Sequence, residues 1–101
     1  MYTNIKTGPA LHCIGQFALE NQKHLTVPPG FLMDALRLLM TSNVFQFGYT
    51  YWLQKVGTAM GVPPAPPWAT IFLGIHKEIV LTQFGDNLQL YCRFIDDVLG
   101  I

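Results

Sequence analysis

The chain is poor in charge. Six basic and six acidic residues among 101 leave a formal net charge of zero, and charged residues make up only 12%. This excludes a self-sufficient nucleic-acid binder of the usual basic kind, which gathers Lys and Arg to neutralise phosphates. Cysteine is scarce as well. Cys13 and Cys92 stand far apart with no CxxC spacing, which points to structural thiols in a reducing compartment rather than to a disulfide framework. Long apolar runs are missing. The longest near-apolar stretch, 62–75, holds four prolines and ends at His76-Lys77-Glu78, and it falls short of the ~18 residues a membrane span needs. The N-terminus lacks the charged-then-apolar layout of a signal peptide. A soluble, intracellular protein is expected, with no membrane partner.

What is present suits a folded core. Half of the residues are hydrophobic and 13% are aromatic, so disorder is disfavoured. The length allows one small domain or a piece of a larger one. There is no internal repeat, linker or low-complexity tract.

Residues 1–6 read as a strand end or a turn. Thr7-Gly8-Pro9 is a helix-start signal, since proline is tolerated in a first turn. Ala10, Leu11, Ile14, Phe17 and Ala18 then recur at helical spacing. Pro28-Pro29-Gly30 punctuates the chain before a second amphipathic helix, with Phe31, Leu32, Ala35, Leu36, Leu38 and Leu39 apolar and Asp34 and Arg37 on the other side. Asn43 ends that helix. Residues 44–47 and 51–54 look like two short strands around Gly48. Residues 57–67 form a Gly/Pro-rich loop, and 68–84 a long helix with Trp68, Ile71, Phe72, Ile75, Ile79 and Val80 on one stripe and Gly85 as its stop. After a turn at Asp86-Asn87, alternation from Leu88 to Phe94 predicts a half-buried strand. Leu88, Leu90, Cys92 and Phe94 share one face, and Gln89, Tyr91 and Arg93 the other. The expected class is α+β, with helices covering one face of a small antiparallel sheet.

The most informative feature is Phe94-Ile95-Asp96-Asp97-Val98-Leu99. Two adjacent carboxylates among apolar residues repel each other and are poorly solvated. A cation resolves both problems, and Mg²⁺ is the hard ion that suits such a pair. A hairpin tip projects both groups from a rigid support. In two-metal phosphoryl transfer one ion activates the attacking hydroxyl and the other steadies the leaving phosphate, which normally needs a third carboxylate. An adjacent Asp pair in a loop is also a common solvated turn.

The context favours the metal reading. Aromatic-x-Asp-Asp followed by Val98-Leu99 resembles the metal-binding motif of reverse transcriptases. Upstream, Gln54-Lys55-Val56-Gly57-Thr58-Ala59-Met60-Gly61-Val62-Pro63-Pro64-Ala65-Pro66 is similar to the template- and nucleotide-contacting loop of the same enzymes, which also leads into a long helix. Its wording is closest to the Penelope-like retroelement branch, and Met1-Tyr2-Thr3-Asn4-Ile5 resembles the tail of that branch's first metal-binding motif. Phe45-x-Phe47 with Tyr51-x-x-Gln54 matches the strands before the loop. The motifs stand in the family's order and span nearly the whole chain.

The resemblance implies a partial polymerase palm with the edge of the fingers. Such a palm has an acidic floor and leaves its basic surfaces to other subdomains, which reconciles it with zero net charge. Asp96 and Asp97 would be the second and third catalytic carboxylates and the metal ligands, with Asp96 the main one. Tyr2, Met60 and Gly61 would contact the nucleotide. Tyr2 would act as the gate under the sugar that favours deoxynucleotides, and Gly61 would leave room for the backbone to approach. Gln54 and Lys55 are possible template or phosphate contacts. The cofactor would be Mg²⁺, two ions in the intact parent. The partners would be an RNA template, a DNA primer, dNTPs, and the remaining fingers and thumb. Location would be nuclear for an active retroelement. Thr70 stands where the family often has Asn. The first catalytic Asp is expected a few residues before Met1, so residues 1–101 read as a single incomplete domain lacking that Asp, most of the fingers and the thumb. Two other readings stand beside this one. A catalytically dead relic is one. An RNA-synthesising polymerase is the other, disfavoured by Tyr2 and by the wording of the loop.

Ordinary roles suit the remaining candidates. His12, His24 and His76 have no ligand spacing. Trp68 and Phe72 fit a core. Tyr49, Tyr51 and Trp52 suit either base stacking or a sheet surface. Arg93 suits a solvated or ion-paired strand position.

Overall fold

The structure, a computed structural model, describes residues 2–95 and 97–101. Among them are three α-helices, α1 (Thr7–Glu20), α2 (Pro29–Thr41) and α3 (Ala65–Phe84). Four short strands accompany them: β1 (Val44–Phe47), β2 (Thr50–Leu53), β3 (Tyr91–Phe94) and β4 (Asp97–Gly100). Single 3-10 turns form at Tyr2–Asn4, Gln22–His24 and Gly85–Asn87. The class is α+β, but the expected single sheet is replaced by two separate antiparallel pairs, β1–β2 and β3–β4. Gly48 and Tyr49 connect β1 to β2, and α3 intervenes between the two pairs in the chain.

Helix ends follow local chemistry. α2 begins on proline, and its last turn is closed by Asn43, whose Nδ2 donates to the Met40 carbonyl at 3.1 Å. The N–H of Gln54 then donates to the Asn43 carbonyl at 2.9 Å, which ties the β1–β2 hairpin to that helix end. α3 starts at Ala65, three residues before the start read from the sequence. Pro66 and Pro67 resemble loop punctuation, yet they sit in the first turn, where the missing N–H groups would have had no helical partner. Gly85 does end α3, but in a right-handed conformation that runs on into a 3-10 turn, not as a left-handed cap.

The core is small. Ile5, Ala10, Leu11, Ile14, Met40, Trp68 and Ala69 form it, with Tyr2, Met33, Leu36, Ile71 and Phe72 packed around them. On α1 the predicted stripe is buried at Ala10, Leu11, Ile14 and Ala18, with Phe17 at the rim. On α2 the structure buries Met40 and leaves Phe31, Leu38 and Leu39 outside, because this helix packs on α1 along one side only. α3 is covered at Trp68 and Ala69, but the stripe runs out into solvent at Ile79 and Val80.

Both faces of β1–β2 are exposed. Its connection places Gly48 at φ +63°, the first-position glycine that a type II′ reversal takes. The molecule is a slab of 53 × 35 × 18 Å. Its radius of gyration is 15.9 Å, against about 13 Å for a compact domain of this length.

Candidate functional site

The β3–β4 hairpin carries the acidic motif. Its register pairs Tyr91 with Gly100, Cys92 with Leu99, Arg93 with Val98 and Phe94 with Asp97. Ile101 extends the ladder, donating to the Leu90 carbonyl at 3.0 Å and accepting from Gln89 at 2.7 Å. Phe94 and Asp97 are opposite one another at the end of the ladder. Asp96 lies outside the described residues. Ile95 has φ +55°, a left-handed conformation that a β-branched side chain rarely adopts. Arg93 Nη1 donates to the Ile95 carbonyl at 3.3 Å and braces the tip.

Residues opposite one another in a sheet share a face. Tyr91, Arg93 and Val98 turn toward α3, while Cys92, Phe94, Asp97 and Leu99 turn away and are exposed. The alternation read from the sequence is therefore right in period and inverted in face. Tyr91 and Arg93 are half-buried, whereas Leu90, Cys92 and Phe94 are open. Lys77 of α3 lies over the Tyr91 ring, which suits that aromatic, and Phe72 and His76 line the same side. Asp97 thus heads β4 on the open face, beside Phe94.

Between α3 and this hairpin lies a cleft of about 480 Å³, which Asn4 and Ile5 help to line. Lys77 Nζ stands 5.6 Å from the centre of the Tyr91 ring. His76 Nδ1 lies 2.9 Å from the Phe72 carbonyl, and the two rings are 4.2 Å apart.

The Gly/Pro-rich loop is fixed at its base and open at its crest. Gly57, at φ +82°, passes so close to Thr3 that a Cβ there would lie 2.8 Å from the Thr3 carbonyl oxygen. The Thr58 N–H donates to the Tyr2 carbonyl at 2.8 Å. Trp68 Nε1 donates to Thr58 Oγ1 at 3.1 Å with both residues buried. Met60 is 74% exposed, and Gly61, at φ +88°, has open space around it. Gln54 Nε2 donates to the Val56 carbonyl at 3.0 Å. Gln54 and Met60 share a shallow groove of about 290 Å³ beside β1. Lys55 is exposed.

The segment 2–5 therefore joins two candidate regions. Tyr2 and Thr3 meet the loop base, while Asn4 and Ile5 meet the hairpin cleft. The ring of Tyr2 packs against the core, and Tyr2, Met60 and Gly61 lie outside the cleft that Arg93, Ile95 and Val98 line. Sequence reasoning missed the Thr58–Trp68 bond and the Arg93 brace. A tryptophan destined for burial needs an acceptor, so the first had a signal. The second depends on a turn conformation that sequence does not announce.

Asp97 is the carboxylate that the structure describes at the tip, and it is exposed. Among the described residues, no three His, Cys, Asp or Glu side chains converge, so a two-ion site needs a further carboxylate. No family model, curated protein or solved structure matches the chain.

Proposed function

We propose that the chain is the palm portion of an RNA-directed DNA polymerase of retroelement type, in which Asp96 and Asp97 hold Mg²⁺ against nucleotide phosphates. The observation that carries this reading is the tip of the β3–β4 hairpin. A β-branched residue is held at positive φ immediately before the acidic pair, and its carbonyl is braced by Arg93. The pairing of Phe94 with Asp97 imposes this angle, so the hairpin itself fixes where Asp97 leaves the turn. The second support is the loop at 57–61, rigid at Gly57 and Thr58 and exposed at Met60 and Gly61.

In this reading residues 1–101 form one incomplete domain, completed by fingers, thumb and a further carboxylate from outside these residues. Bound Mg²⁺ would supply charge neutralisation at the transferring phosphate. The chain's own contribution is position: a short hairpin that sets Asp97 at the head of β4, and a glycine crest that would admit a nucleotide. The RNA template and DNA primer would be held through their backbones.

Primer extension on an RNA template by the complete polypeptide tests this. Asp96→Asn and Asp97→Asn are expected to bring extension to background while circular dichroism stays unchanged. Tyr2→Ala is expected to admit ribonucleotides. Undiminished extension by either Asp variant contradicts the assignment, and an unchanged sugar preference removes Tyr2 as the gate.

A further inference from the structure

The cleft between α3 and the β3–β4 hairpin is cationic. Lys77 and Arg93 both line it and both are half-buried, and among the described residues none of those lining it is acidic. These two account for a third of the chain's six Lys and Arg residues. Partly desolvated like charges in one concavity repel each other and want an anion.

Their present partners are weak. Lys77 lies over a tyrosine ring, and Arg93 gives one N–H to the Ile95 carbonyl. A guanidinium carries five donors in a planar fork and an ammonium three, so among the described residues most of these donors have no protein partner. The remaining walls are largely apolar, with Ile5, Phe72, Val80 and Val98 among them. The volume of about 480 Å³ falls within the range of small-molecule sites, which pair apolar walls with a few convergent polar groups.

We propose that this cleft binds an organic oxyanion, a ligand with a flat apolar body and a single carboxylate or phosphate end. The Arg93 fork matches the geometry of either end group. Lys77 adds a point charge, and the apolar body lies between Phe72 and Val98. The site faces α3, whereas Asp97 faces away from it, and the two readings share Arg93, which also bonds the Ile95 carbonyl.

Calorimetric titration of the full chain with 1-naphthoate, 1-naphthyl phosphate and neutral 1-naphthylmethanol tests it. At least one of the two anions is expected to bind about tenfold or more tighter than the alcohol, since charge-assisted hydrogen bonds separate them. The tighter anion identifies the end group. Lys77→Gln and Arg93→Gln should each weaken that binding about fivefold or more. Arg37→Gln, a charge removed from the exposed side of α2, should leave it unchanged. Circular dichroism establishes that each variant is folded; if Arg93→Gln is not, Lys77→Gln decides. Binding of neither anion, equal affinity for the alcohol, or unaltered affinity in a folded Lys77→Gln variant overturns the proposal.

Discussion

At Gly57 a hydrogen is the only side chain that fits. The position combines φ +82° with a Thr3 carbonyl oxygen that would lie 2.8 Å from any Cβ. Gly57→Ala should therefore lower stability by about 1 to 3 kcal/mol, through both backbone strain and a displaced 2–5 segment. A denaturant melt checks this, and an unchanged midpoint would mean that Tyr2 and Thr3 are not held by the loop. Ile95 presents the opposite case, a residue unsuited to its conformation. Asparagine tolerates left-handed angles, so Ile95→Asn should raise stability by about 1 kcal/mol. The same melt reads it, and a loss of stability would show that the isoleucine is held there by packing. Residues of this kind were partly legible. Gly57 and Gly61 stand out in the sequence as glycines in a Gly/Pro-rich stretch. Nothing in the sequence marks Ile95, because its angle is imposed by the pairing of Phe94 with Asp97.

Elements were more legible than the faces they bury. Helical spacing revealed α1, α2 and α3, and strand-like runs revealed both hairpins, because periodicity is local information. Which side is covered depends on what packs there. The alternation of β3 has the expected period, but the face with Tyr91 and Arg93 lines the cleft beside α3, which turns it over. The stripe of α3 is continuous in sequence and only its first half meets the core. Ile14 and Ile79, both at stripe positions, should accordingly behave differently. Ile14, at 3% exposure, should cost about 2 to 4 kcal/mol when replaced by alanine. Ile79, at 51%, should cost about 1 kcal/mol or less. Paired thermal melts compare them, and equal losses would mean that the far half of α3 is covered in solution.

The whole molecule exposes more surface than its size requires. Its accessible area is 7653 Å², about 1,900 Å² above that of a compact folded chain of the same mass. Large apolar side chains are exposed on both faces of β1–β2, on α2 and on the far half of α3. The excess is more than the ~800 Å² each partner contributes to a standard interface. A slab with this surface suits the proposed role as one part of a larger polymerase, in which other segments lie against the exposed faces and supply the remaining carboxylate.

The claim on which that role depends is that the β3–β4 tip holds a divalent cation. Titrating Mn²⁺ into the isotope-labelled full chain reads this directly, by paramagnetic broadening of backbone amide signals. The account predicts that the amides of Ile95, Asp97 and Val98 broaden before any others, that excess Mg²⁺ restores them, and that Asp97→Asn removes the effect. Broadening that begins elsewhere, or that persists unchanged in Asp97→Asn, would contradict it.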